Sequence, residues 1–229
     1  MTRPITSLSS MATRQILADL AELYEQRTGR RVVIQSMGGV EAARRVRAGE
    51  PTDIMVLASK VREQLEAEGH LVSGSRVGFA RSGIAMAVPA GALRPSIGDE
   101  GSVKQAILEA PRICYSTGPS GDHLKQLWER WGIAELVSQR AIQAPAGVPV
   151  GEIVAREDAD LGFQQLSELL HVPGIEIVGP LPPEIQAVTV FSAGVSNMSP
   201  QREEACALVA YLTSPEAEAA KRQHGMEPA

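Results

Sequence analysis

Short apolar or β-branched runs alternate with stretches of helical period along the whole chain, and turns rich in Ser and Gly stand between them. That rhythm demands strands laid side by side with helices packed over them, because neither element alone can bury its apolar face. Between Thr13 and Gln26, Ile16, Leu17, Leu20, Leu23 and Tyr24 recur at helical spacing, and Gly29 supplies a stop. Arg31 to Gln35 reads as a strand, Val40 to Ala48 as a helix, and the apolar run Asp53 to Ala58 as a parallel strand covered on both faces. Lys60 to Glu68 returns to helical spacing.

The alternation continues with strands at Ile84 to Val88 and Arg112 to Tyr115, and helices near Ser102 to Glu109 and Asp122 to Trp131. Glu152 to Arg156 reads as helical, Asp160 to Gln164 as extended and Gln165 to Leu170 as helical. Ile175 to Val178 and Ile185 to Phe191 read as extended, and helices at Ser199 to Leu212 and Pro215 to His224 close the chain. The fold class is therefore α/β. At 229 residues the chain is longer than one ordinary compact domain, yet it holds no repeat, low-complexity tract or linker. Two lobes without a linker imply a chain that crosses between them more than once.

Hydrophobic residues make up 44% of the chain but aromatics only 3%, so the core must be built from Val, Ile, Leu and Ala. A net charge of −5 gives no field to collect nucleic acid, which we exclude as a partner. Cys114 and Cys206 are too few for a disulfide scaffold and lack metal-ligand spacing, so both read as buried thiols and neither metal nor cofactor is expected. No segment is long and apolar enough to insert in a membrane, and Met1 to Ser10 has no signal-peptide run. The chain as written reads as cytoplasmic, and as periplasmic if it is a trimmed mature chain. A monomer or weak dimer is expected.

Three turns each follow a strand and lead into a helix: Ser7-Leu8-Ser9-Ser10, Ser36-Met37-Gly38-Gly39 and Ser116-Thr117-Gly118-Pro119-Ser120-Gly121. A helix start carries unpaired N–H groups and partial positive charge, so such turns can hold an oxyanion or carboxylate without lysine. They can equally serve only as caps. The candidates are Ser9, Ser10, Gly38, Gly39, Ser116, Ser120 and Gly121. A fourth approach, Ala146 to Glu152, either offers the Gly147 and Val148 amides or merely turns the chain, and Gln165 can donate to a ligand oxygen. Arg81 and Ser82 precede the strand at Ile84, where Arg81 reads as a carboxylate clamp or as a solvated loop cation. No nucleotide phosphate loop occurs.

Several strings, in order, carry a resemblance: Ser9-Ser10, Thr28-Gly29, Gly49-Glu50-Pro51-Thr52-Asp53, Gly121, Leu161-Gly162, Thr189-Val190-Phe191-Ser192-Ala193, and Tyr211-Leu212-Thr213-Ser214-Pro215 with Gly225. With them the chain resembles the molybdate-binding-protein group of the type 2 periplasmic binding proteins. The resemblance implies two Rossmann-like lobes: residues 1–82 with 193–229, and 83–192, joined by crossover strands near 84–88 and 188–192, with a small anionic ligand held in the inter-lobe cleft. The second loop lacks the serine that molybdate binders of this group use, and Gln165 stands where they often place a tyrosine. Gly151-Glu152-Ile153-Val154-Ala155-Arg156, Gly162 to Glu168 and Phe191-Ser192-Ala193-Gly194 are instead similar to a branch that includes aconitate isomerase.

That branch implies an allylic proton shift on a di- or tricarboxylate such as trans-aconitate, which needs an acid–base group and carboxylate clamps. His123, at a helix start beside Gly121, is the candidate proton carrier, with Glu168 and Tyr115 behind it. The alternative is a non-catalytic substrate-binding protein that delivers an oxyanion or organic anion to an ABC transporter. It needs no acid or base.

Overall fold

The computed structural model describes residues 3–229. The chain divides into two compact units: the first runs up to Arg81 and resumes at Val190–Ala229, and the second is Ser82–Thr189.

The first unit opens with β1 (Ile5–Ser10), α1 (Arg14–Thr28), β2 (Val32–Met37), α2 (Gly39–Arg47), β3 (Ile54–Ala58) and α3 (Ser59–Ala67). Then β4 (Val77–Pro89) carries the chain into the second unit, which contains α4 (Glu100–Glu109), β5 (Ile113–Tyr115), α5 (Pro119–Arg130) and α6 (Ala134–Ser138). It continues with β6 (Ala141–Gln143), α7 (Val150–Ala155), β7 (Leu161–Gln165), α8 (Leu166–Leu169) and β8 (Ile175–Pro180). The return is made by β9 (Val188–Val195), followed by α9 (Arg202–Leu212), α10 (Glu218–Gln223) and β10 (Glu227–Pro228).

In the first unit β2, β1 and β3 run parallel, and β9 is antiparallel to β3. Side chains alternate across this sheet. Ile5, Ile54 and Val56 pack with Ile16, Leu17, Leu20 and Leu208 from α1 and α9, while Leu8, Met55 and Leu57 pack with Ala42, Val46 and Leu65 from α2 and α3. Period-two alternation with both faces covered explains why the run at β3 is apolar throughout. α1 ends at Gly29, whose N–H donates to the Glu25 carbonyl at 2.8 Å. Leu23, which its spacing assigns to the buried stripe, is 46% exposed, because the packed face is narrower and centred on Ile16, Leu20 and Tyr24.

In the second unit β6, β5 and β7 are parallel, and β4 joins β7 antiparallel with β8 also on β4. Ile84, Met86, Ile113, Leu161 and Phe163 face α4 and α5, whose Val103, Ile107, Leu124 and Trp128 complete that core. Cys114 faces α7 with Val150, Ile153 and Val154.

Three sequence expectations change. Ser7 to Ser10 is the end of strand β1 rather than a turn, because Ser9 and Ser10 stay in register with Ser36 and Met37. Arg81, Ser82 and Gly83 lie inside β4, a strand of 13 residues, where pairing with β10 tolerates the exposed Arg81. Gln165 ends a strand instead of starting a helix, and α6, β6 and β10 were too short to show periodicity.

Candidate functional site

Parallel strands bring their C-terminal ends, and the helix starts that follow, to one edge of a sheet. Each unit has such an edge.

In the first unit that edge collects serines. Ser9, the next-to-last residue of β1, is fully buried, and its hydroxyl lies 2.7 Å from that of Ser36 on the neighbouring strand. Ser10 is half-buried, and its carbonyl accepts from the Thr13 hydroxyl at 2.9 Å. Gly38 and Gly39 open α2, and no side chain caps that helix. Ser59, the first residue of α3, donates to the Ser192 hydroxyl of β9 at 3.2 Å. Neither Ser59 nor Ser192 is among the sequence candidates, although Ser59 repeats their pattern of a polar residue between an apolar run and a helix. Arg81, also in this unit, is exposed on β4 and makes no ion pair among the described residues.

The second unit's edge is built from three segments. After β5, the Ser116 and Ser120 hydroxyls are 2.8 Å apart, and the Gly118 N–H donates to the Ser116 oxygen at 3.2 Å. α5 then starts with Pro119 and no side-chain cap. Gly121 sits so close beneath the turn that a Cβ there would lie 1.8 Å from the Ser116 carbonyl oxygen. Only glycine fits. After β6, Gly147 adopts φ +83°, and the Val148 N–H is spent on the Pro145 carbonyl at 2.9 Å. The Val148 amide thus closes a turn, the second of the two roles its sequence allowed.

At the end of β7 the two glutamines face opposite sides of the sheet. Gln164 accepts from the Val150 N–H, at the start of α7, at 2.9 Å and donates to Glu168 at 2.8 Å. Gln165 donates to the Thr189 hydroxyl at 2.8 Å, while its Oε1 is buried without a partner among the described residues. Burial pushes the Glu168 carboxyl up to about 7, against the opposing hydrogen bond from Gln164. His123, on α5, is half-buried with Nε2 at 2.8 Å from the Ile185 carbonyl, so its Nε2–H donates there. Ser82 is buried, with its hydroxyl donating to the Gly83 carbonyl at 3.4 Å.

Cys114 is buried, which lifts its thiol to about 12, whereas Cys206 is exposed on α9. The expectation that both thiols are buried thus fails for Cys206, because the apolar face of α9 is formed by Ala205, Leu208, Val209 and Leu212. Among the described residues no three His, Cys, Asp or Glu side chains gather as a metal set.

The model of a family described as bacterial extracellular solute-binding protein matches residues 5–227. The chain belongs to that family. It is also 37% identical over 235 residues to an aconitate isomerase from a Pseudomonas species, an alignment covering 99% of this chain and 89% of the relative. Among solved structures, the periplasmic molybdate-binding protein of Azotobacter vinelandii superposes with a TM-score of 0.81 at 22% identity, over 97% of this chain and 98% of that one. The structure described as the tungstate ABC transporter from Geobacter sulfurreducens gives a TM-score of 0.76 at 13% identity, over 96% and 98%. The fold is that of the type 2 periplasmic binding proteins.

Proposed function

We propose that this chain binds a carboxylate-bearing anion and acts as an aconitate-isomerase-like enzyme, shifting a double bond by proton transfer. The likeness to an aconitate isomerase along 99% of the chain carries the reading. The chemistry of the two strand edges supports it. Paired serine hydroxyls and uncapped helix starts donate hydrogen bonds to carboxylates without bringing in a counter-charge that would have to be desolvated. In this reading Ser9, Ser10, Gly38 and Gly39 serve in the first unit, and Ser116, Ser120, Gly121, Gly147 and Gln165 in the second. Arg81 supplies the one cationic clamp.

A passive solute-binding protein, feeding an ABC transporter, is the second reading, and the family's description favours it. That description also supports a periplasmic location for either reading. No helix among the described residues is long and apolar enough to cross a membrane.

Proton NMR of trans-aconitate with the purified protein separates the two. Growth of a second set of vinyl and methylene signals is the expected result. An unchanged spectrum, together with a ligand-induced rise in melting temperature, refutes the enzyme and leaves the binding protein. If neither trans-aconitate nor citrate raises the melting temperature, carboxylate binding falls as well.

A further inference from the structure

Gln165 ends β7 as an enclosed amide, yet it is bonded to a residue that is not enclosed. The residue is only 2% exposed, and its Nε2 donates to the Thr189 hydroxyl at 2.8 Å. Thr189 is the last residue of the second unit and lies near the start of β9, half-buried between the exposed Val188 and Val190. Of the bonded pair, it is therefore the threonine that a molecule arriving from solvent can touch.

The direction of the bond decides what such a molecule would meet. An amide N–H can only donate, so Thr189 Oγ is the acceptor here and its own proton points elsewhere. That proton has no acceptor among the described residues. The serine pairs differ, because in Ser9–Ser36 and Ser116–Ser120 one hydroxyl proton of each pair is used between the two oxygens. A hydroxyl that accepts a hydrogen bond is also a stronger donor, and β-branching leaves threonine few choices of χ1. Thr189 thus carries a directed and polarised O–H. Its partner stands at the sheet edge that holds Ser116, since Gln165 is two residues past Phe163 and Phe163 pairs with Tyr115.

Resting on the carboxylate-binding reading above, we propose that Thr189 contacts the ligand, its O–H donating to a carboxylate oxygen, and that Gln165 acts through it as a positioning residue. A hydroxyl given to a carboxylate makes a charge-assisted bond and brings no counter-charge to be desolvated. The role expected of Gln165, donation to a ligand oxygen, is then passed on by one hydroxyl. No covalent bond changes in this step.

The test is calorimetric titration of trans-aconitate into the wild-type chain and four variants, each checked by its melting temperature without ligand. Thr189→Val keeps the side-chain shape and removes the hydroxyl, and it should weaken binding about 10- to 100-fold, as expected for a lost hydrogen bond to a charged group. Thr189→Ser should stay within a few-fold of wild type. Gln165→Leu should weaken binding by a smaller factor, and should add nothing when Thr189→Val is already present, because a positioning residue has no effect once the group it positions is gone. A wild-type chain that binds neither trans-aconitate nor citrate fails the carboxylate reading, and this assignment with it. Wild-type binding with Thr189→Val within two-fold overturns the assignment alone and leaves carboxylate binding standing. A loss in Thr189→Ser equal to that in Thr189→Val overturns it too, since the hydroxyl would then not be the cause. Equal effects of Gln165→Leu with and without Thr189→Val overturn the positioning role.

Discussion

Asp53 ties three separated segments of the first unit together, and replacing it should cost the protein a large share of its stability. The side chain is fully buried, with Oδ2 accepting from the Thr6 N–H at 2.8 Å, the Thr6 hydroxyl at 2.9 Å and Gln201 Nε2 at 3.0 Å. Its Oδ1 accepts from the Ser199 hydroxyl at 2.7 Å. In Asp53→Ala the two hydroxyls can rotate to other acceptors, but the Thr6 N–H and the Gln201 amide cannot. Each stranded donor costs about 1–3 kcal/mol, so a loss of about 4 kcal/mol is expected. Against a total of about 5–15 kcal/mol this is severe. With a urea slope of about 2 kcal/mol/M, the unfolding midpoint should fall by about 2 M, read by circular dichroism. Hydrogen exchange should quicken first in α9, the helix that Ser199 and Gln201 lead into.

The pH dependence provides a second check. Burial raises the Asp53 pKa, but the hydrogen bonds from Ser199, Thr6 and Gln201 outweigh it and hold the group below its ordinary value. A carboxyl lowered on folding contributes stability that is fully present above its unfolded pKa of about 3.9 and is lost as pH falls through the lower folded value. The gap between wild type and Asp53→Asn should therefore be constant above about pH 5 and shrink below about 4. A midpoint change under ~0.5 M, or a gap that widens in acid, refutes this account.

Gly121→Ala should destabilise the second unit by about 1–3 kcal/mol or more, since its Cβ would fall 1.8 Å from the Ser116 carbonyl oxygen. A thermal melt within a degree of wild type contradicts that contact. Gly147→Ala forces a side chain into φ +83°, and a loss of about 1 kcal/mol is expected by urea titration. Ellman's reagent should label one thiol, Cys206, in the native protein and both after unfolding, because burial keeps Cys114 as an inert thiol. Two fast thiols would contradict the burial of β5. If Arg81 clamps a carboxylate, Arg81→Ala should weaken trans-aconitate or citrate by about 1.5–3 kcal/mol in calorimetry, and unchanged affinity removes it from the site.

The alternation of apolar strand runs with helical stripes was enough to define an α/β chain, because burial on a sheet and on a helix imposes different periods that a linear sequence must display. The runs at β3 and α1 and the stop at Gly29 are local patterns of this kind. Order alone also made the binding-protein resemblance legible. What lay beyond the sequence was how residues far apart in the chain spend their hydrogen bonds. The Ser9–Ser36 and Ser59–Ser192 pairs, the closure of Val148 onto Pro145, and the tie between His123 and Ile185 all depend on strand register and helix placement. Glu168 shows the same limit. Its sequence placed it only behind His123 as a candidate proton carrier, and only the fold sets the Gln164 amide against its carboxylate.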